Sequence, residues 1–307
     1  MIPERYELAG LILFAMLALL PAVPAILLFL RCVTSKDKVT RRRKSLHLLW
    51  ATLAAFVMYA MVIVDGFVLE PNWPEFDTVT LSGKVSKPLR ILHISDLHIE
   101  KTPTRRDQWL VDAVKRLNPD LILLTGDVSQ MGNSDVASVR PVLEALQAPL
   151  GVFACVGYDS VTFMAKSAPH IRFLCNETAV LDLGTRRIAL AGLEPVGNRS
   201  RLYDAIADAD YRIVINHTPD LADEAVAHGV NLYCCGHTHG GQVRIPFWGA
   251  IITNAESGKR YEAGFYQRGN TSIHTSRGLG LEPPPAVQVR LLCRPEITLI
   301  TVEPRTE

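Results

Sequence analysis

The 307-residue chain has almost no net charge, with 32 Lys and Arg against 31 Asp and Glu. That balance argues against a basic nucleic-acid binder, which gathers Lys and Arg into a patch or stripe. Cysteines are few, six in all, and none forms a Cys-x-x-Cys pair, so the chain is not a disulfide scaffold. Charged residues make up only 21% against 48% hydrophobic, a composition that excludes a disordered chain. There is no internal repeat, no low-complexity tract and no feature that indicates a protein partner. The length suits one large domain or two small ones.

What is present is apolar sequence, concentrated at the start. Leu8 to Leu30 runs 23 residues without a charge. Roughly 20 apolar residues span a bilayer, whereas a cleaved signal peptide has an apolar core of about 7–15. Pro21 and Pro24 would break a soluble helix but are tolerated in a membrane-spanning one. A second, less pure apolar stretch covers 45–64 and ends at Asp65. The sequence is therefore read as a membrane anchor over 1–70 with spans 8–30 and 45–64. A linker and first strand follow over 71–87, and a single domain over 88–307.

Between the two stretches, Arg31 to Lys44 holds seven basic residues and one acidic. From Asp65 to Gly83 there is no Lys or Arg. Basic loops stay on the cytoplasmic side, so two spans would leave the large domain outside the cytoplasm. A single span over Leu8–Leu30 would leave it inside.

Beyond the anchor, short apolar runs alternate with helical stripes. Strands are expected at Leu89–Ile94, Asp120–Leu124, Gly151–Val156, Ile171–Leu174, Ala179–Leu183, Arg187–Leu190, Tyr211–Ile215, Val230–Cys234, Thr271–Thr275 and Glu296–Val302. Helices are expected at Thr104–Leu117, Ser138–Gln147 and Asp220–His228. Such alternation indicates an α/β domain.

Polar residues follow four of these strands: Asp96 and His98, then Asp127, then His217, then His237 and His239. Ligands gather at the carboxyl ends of strands in α/β sheets. Any one of these residues alone reads as an ordinary loop residue, and Asp127 as a helix cap. Together they offer carboxylate and imidazole donors, the set that suits Mn, Fe or Zn. An Asp between flanking ligands suggests two metals about 3.5–4 Å apart, the arrangement used for in-line phosphoryl displacement.

The order and separations of Asp96-x-His98, Gly126-Asp127, His217 and Gly236-His237-Thr238-His239 resemble the calcineurin-like metallophosphoesterase family, over roughly Leu89 to Val302. GHTHGGQVRIP (Gly236–Pro246), TSRGLG (Thr275–Gly280) and LCRPEITLI (Leu292–Ile300) are similar to its bacterial, membrane-linked or exported phosphodiesterases. The resemblance implies a four-layer αββα sandwich of two mixed sheets flanked by helices. It implies hydrolysis of a phosphodiester or phosphomonoester by a hydroxide held on two divalent metal ions. Asp96, His98 and His239 would hold one ion, His217 and His237 the other, with Asp127 bridging. It also implies a bacterial inner-membrane location.

One motif departs from the family. Where the family has Gly-Asn-His-Asp or Gly-Asn-His-Glu, this chain has Gly157-Tyr158-Asp159-Ser160. In the family the Asn ligates the second metal and the His serves the leaving group or transition state. Tyr158 is no amide ligand. Asp159 is the candidate for the leaving-group role, although nearby metals would hold its pKa down. One alternative is thus a weak or inactive homologue that binds metal or phospholipid. A second is a UDP-diacylglucosamine hydrolase of lipid A synthesis, which requires a cytoplasmic domain. Arg244 and Arg277 are candidates to contact a substrate phosphate, or else form ordinary surface salt bridges. The membrane anchor makes the bilayer a partner and a phosphorylated small molecule or lipid the expected substrate.

Overall fold

The computed structural model describes residues 38–130, 135–157, 166–194, 197–282 and 288–305, with Val23, Ile26, Leu27 and Leu30 before them. The expected span 8–30 lies outside the described residues apart from those four positions. The chain divides into two compact units: Met1–Leu69 with Glu282–Val289, and Glu70–Leu281 with Arg290–Glu307.

In the first unit a 27-residue helix, α1, covers Lys38–Val64. Its charges crowd the first turns, and from Ser45 to Val64 no Asp, Glu, Lys or Arg occurs. Leu46, Leu49, Trp50, Leu53, Phe56, Val57, Met58 and Met61 are all exposed. A helix of a soluble domain hides an apolar stripe, whereas one apolar all round belongs in a core or a bilayer. Among the described residues, one helical run, Arg43–Asn72, is long and apolar enough to cross a membrane.

The second unit is built on two six-stranded mixed sheets. The first contains β1 (Glu75–Gly83), β2 (Leu89–Ile94), β3 (Leu121–Thr125), β4 (Val152–Cys155), β5 (Ile171–Phe173) and the last strand, β14 (Glu296–Pro304), in the order β1-β14-β2-β3-β4-β5. β14 runs parallel to β1 and antiparallel to β2, and β2 through β5 are parallel. The second contains β6 (Glu177–Leu183), β7 (Arg186–Gly192), β8 (Tyr211–Ile215), β9 (Leu232–Cys235), β12 (Gly264–Arg268) and β13 (Thr271–Thr275), in the order β12-β13-β9-β8-β7-β6. A two-stranded hairpin, β10 (Arg244–Ile245) and β11 (Gly249–Ala250), stands apart from both.

Strand alternation sorts side chains into layers. Leu89 and Ile91 of β2, Leu121 and Leu123 of β3, and Ile213 and Ile215 of β8 share the core between the sheets. Leu92, Ile94, Ile122 and Leu124 face outward onto helices α2 (Arg105–Leu117) and α3 (Val136–Glu144). Val214, Tyr233, Cys235 and Ile273 face the other way, onto α4 (Arg199–Ile206) and α5 (Ala222–Ala227). This is the α/β four-layer sandwich of two mixed sheets.

α2 begins where its sequence dictates. The Thr104 hydroxyl accepts from the Asp107 N–H, while the Asp107 carboxylate accepts from the Thr104 N–H at 2.7 Å, a capping box. The helix expected over Asp220–His228 is shorter. Pro219–Leu221 forms a 3-10 turn, and α-helix covers only Ala222–Ala227. Helix α4, strand β12 and the hairpin were not expected from the sequence. α4 presents only Leu202, Tyr203 and Ile206 to the core, too few for a readable period.

Candidate metal centre

Four parallel strands end beside one another, and each hands its last residues to one site. β2 and β3 are neighbours in one sheet and β8 and β9 in the other. Backbone bonds join the loops that follow them. Asp96 N–H donates to Gly126 C=O (3.1 Å), His98 N–H to Asp127 C=O (3.0 Å) and Gly236 N–H to His217 C=O (2.9 Å).

Asp96, His98, Asp127, His237 and His239 have left-handed backbones, with φ of 49°, 44°, 48°, 68° and 49°. Non-glycine residues seldom adopt this region, and such strain collects at functional sites. All five side chains are buried, as is that of His217.

The side chains form two overlapping groups of donors. Asp96, His98 and His239 make one, and Asp96, Asp127 and His217 the other, with the donor atoms of each group within 4.8 Å of one another. Asp96 is common to both. Asp127 Oδ2 stands 3.8 Å from His98 Nε2 and 3.5 Å from His217 Nε2. His98 Nε2 and His239 Nε2 are 3.1 Å apart.

Carbonyl oxygens decide which ring nitrogens face the site. Thr125 C=O lies 2.8 Å from His217 Nδ1 and can only accept, so that nitrogen carries the proton. Asn254 C=O lies 3.3 Å from His237 Nε2 and fixes that ring in the same way. The remaining nitrogens, His217 Nε2 and His237 Nδ1, face each other at 3.1 Å. Without a metal, that contact is a hydrogen bond from a protonated His217 to His237. Burial and the neighbouring His217 hold His237 below the usual histidine range. Burial also pulls His217 down, but the Asp127 carboxylate overrides it and lifts it to about 9. Burial, then His98, pushes His239 well down, and burial raises Asp96. Buried carboxylates and imidazoles whose donor atoms converge in this way are a set that fits a divalent ion.

Second contacts fix the donors. The Asp96 carboxylate accepts from the His237 N–H at 3.0 and 3.2 Å. A Cβ on Gly236 would collide with Ser95 Oγ and Asp96 Oδ2, and one on Gly157 with the Asp127 carboxylate. Only glycine allows such an approach. Gly236→Ala is therefore expected to weaken Mn²⁺ binding about 10–100-fold, the range for loss of a contact that orients a ligand, while far-ultraviolet circular dichroism is unchanged. Calorimetric titration of the full chain in detergent measures it.

Residues 89–241 match the sequence pattern of the family described as calcineurin-like phosphoesterase. The chain is 34% identical over 296 residues to the uncharacterized metallophosphoesterase YkuE of Bacillus subtilis, covering 87% of this chain and 99% of that protein. It is 30% identical over 245 residues to the phosphodiesterase YaeI of Escherichia coli, covering 75% of this chain and 89% of that protein. The chain belongs to the calcineurin-like metallophosphoesterases. A further relative is a transmembrane protein with a metallophosphoesterase domain from Danio rerio, 25% identical over 82% of this chain and 62% of that protein.

As a metallophosphoesterase, the chain is a hydrolase of phosphoric ester bonds in a family that uses divalent metals. Its two expected phosphate-contacting arginines are engaged with carboxylates. Arg277 pairs with Glu296, with Glu75 at 2.7 Å and with Asp77 at 3.5 Å. Arg244 donates to Glu262 at 2.9 Å and to Gly240 C=O at 3.0 Å. Asp159 and Tyr158 lie outside the described residues.

Several neighbours of the site gave no signal in the sequence. Arg290 is fully buried and donates to the carbonyls of Arg277, Gly278, Gly280 and Cys293, with one guanidinium nitrogen 3.5 Å from His239 Nδ1. A buried chain of His93, His274, Thr125, Ser95 and Thr298 lies between the sheets behind the site. His93 Nδ1 meets His274 Nδ1 at 2.6 Å, and His93 Nε2 meets Thr125 Oγ at 2.9 Å. Thr125 Oγ meets Ser95 Oγ at 2.7 Å, and Thr298 Oγ meets His274 Nε2 at 3.3 Å.

Proposed function

We propose that this chain is a metal-dependent phosphodiesterase working at a membrane. Asp96, His98 and His239 hold one divalent ion (Mn, Fe or Zn), His217 and His237 a second, and Asp127 lies between them. The carrying observation is the convergence of buried donors, Asp96, His98 and His239 in one group and Asp96, Asp127 and His217 in the other, with the donor atoms of each group within 4.8 Å of one another. When bound, two such ions lower the pKa of a water and stabilise the charge that develops at a displaced phosphoryl group.

The chain's own residues prepare that chemistry. Thr125 C=O keeps the proton of His217 on Nδ1, away from the site, and Asn254 C=O does the same at His237 Nε2. The backbone N–H of His237 steadies Asp96. Burial of all six side chains excludes bulk water, which strengthens every electrostatic contact within.

A diester substrate follows from the likeness to the phosphodiesterase YaeI. The exposed apolar residues of α1 and the transmembrane relative support the reading of a membrane-borne substrate. The test is hydrolysis of a 4-nitrophenyl phosphodiester by the full chain in detergent with Mn²⁺. Turnover is expected, lost with EDTA and restored by Mn²⁺. Turnover indifferent to chelation overturns the reading. Metal binding without any turnover supports the inactive homologue that the Tyr158-Asp159 replacement allows.

The basic run Arg31–Lys44 carries seven positive residues against one negative, so with two spans the esterase unit lies outside the cytoplasm of a bacterial inner membrane. Alkaline phosphatase fused after Glu75 is expected to be active in cells. An inactive fusion that is stably made overturns this orientation.

A further inference from the structure

The hairpin β10–β11 ends in the sequence Ile245-Pro246-Phe247-Trp248. Trp248 N–H closes the turn onto Ile245 C=O at 3.1 Å. Proline in second place and a positive φ in third mark the type II pattern, whose third residue is ordinarily glycine or asparagine. Here it is Phe247, at φ 65°. A bulky side chain in the left-handed region is strained, and packing within the chain does not compensate, because Phe247 is 111% exposed. Its neighbours are also in solvent: Trp248 is 66% exposed, Ile245 48% and Ile251 39%.

This tip is held rigidly and close to the candidate metal centre. Arg244, at its base, donates to Gly240 C=O in the turn that carries His239. A Cβ on Gly241 would touch Ala250 of β11. Lys259 donates to the carbonyls of Trp248 (2.7 Å) and Ala250 (2.8 Å), with its ammonium 5.0 Å from the Trp248 ring centre. No Asp or Glu occurs from Val243 to Ala255.

We infer that the Ile245–Ile251 tip is a bilayer-contacting element, seating Phe247 and Trp248 at the boundary between lipid headgroups and acyl chains. Four observations select that occupant. Aromatic rings beside a cation are the residues that settle at this boundary. The stretch has no carboxylate of its own, and the Glu262 carboxylate at its base is paired with Arg244 and Lys259. The same chain carries a helix of membrane-spanning length. The tip is also too small for a stable protein contact: each aromatic ring buries about 150–250 Å², whereas a standard interface takes about 800 Å² from each partner. The inference rests on the membrane reading above and deepens it, since a tip rooted in the His239 turn would bring a phosphoester at the lipid surface near the site.

The test uses the full chain reconstituted in phosphatidylglycerol–phosphatidylcholine vesicles, with a nitroxide at Phe247→Cys. Lys115→Cys, on the exposed face of α2, is the reference, and the native cysteines are subtracted by labelling the unsubstituted chain. Phe247 is fully exposed, so its replacement leaves the fold intact. The expected result is collision with oxygen in preference to a water-soluble nickel chelate at position 247, with the ratio several-fold above the reference. An aqueous signature at 247 overturns the proposal. So does spin–spin broadening that disappears on dilution with unlabelled chain, which would put a second copy on the tip. The readout needs no turnover, so its failure would leave the hydrolase reading standing.

Discussion

Replacing Asp127 by asparagine is expected to lower kcat/KM for a 4-nitrophenyl phosphodiester by more than about 100-fold, since loss of a contact one step removed from a metal already costs about 10–100-fold. The substitution keeps the size of the side chain and removes its charge. Asp127 Oδ2 is the oxygen that faces both His98 and His217, at 3.8 and 3.5 Å. Without that charge, two buried positive ions would be less well balanced, and the second should be lost first. Metal analysis of the purified variant is therefore expected to give fewer equivalents than the parent chain. Full activity together with full metal content would remove Asp127 from the proposed ligand set.

The second large effect is expected well behind the donors. His93 and His274 face the layer between the sheets from β2 and β13, joined at 2.6 Å and fully buried. His93→Ala leaves His274 Nδ1 without its partner and takes one from Thr125. A buried polar group left unsatisfied costs about 1–3 kcal/mol, and the cavity adds to it. A loss of about 3–5 kcal/mol is expected, read from thermal unfolding in detergent. His93→Leu with His274→Leu should cost less than the sum of the single changes, with a coupling of about 0.5–3 kcal/mol.

The pair also carries a pH signature. Burial, then His274, holds His93 well below the usual range, and burial, then Arg277, lowers His274 to about 3. Both rings are neutral when folded, whereas in the unfolded chain they protonate below about 6.5. Their contribution is thus complete above that pH and lost as the pH falls, by about 1.4 kcal/mol per unit per histidine. For His274 the loss continues down to about pH 3. The double Leu variant is expected to flatten the acid limb of the stability curve. An unchanged slope would show that the rings are already charged in the folded protein.

How much of this was legible in the sequence depended on local signal. β2 and β8 have the expected bounds because each is a short, mostly apolar run closed by polar residues; β13, Thr-Ser-Ile-His-Thr, has the expected bounds with a single apolar residue. α4 and β12 were not visible. The helix buries only three residues, and the strand, Gly-Phe-Tyr-Gln-Arg, is a half-polar edge. Residues that follow strands could be picked out because the chain itself brings them to a sheet end. The left-handed backbones at Asp96 and His239 could not, since Asp and His adopt that conformation more readily than most residues but do not require it. His93 and His274 lie 181 residues apart, and only the packing of the two sheets brings them together. Arg244 and Arg277 drew attention by proximity to the motifs, but their carboxylate partners are distant in sequence.

The order of strands in the first sheet has a consequence for how the protein is made. β14 lies between β1 and β2, so β1 touches the rest of its sheet only through residues 296–304. During synthesis β2 through β5 can pair as they emerge, but β1, made over 200 residues before its partner, must wait with its edge uncovered. Such long-range closure is slow and exposes strand edges to wrong pairing. The unit therefore reaches its final form by insertion of its last strand into a gap. Emergence of residues 296–304, rather than of the donor-bearing loops, sets the earliest moment at which the sheet is whole.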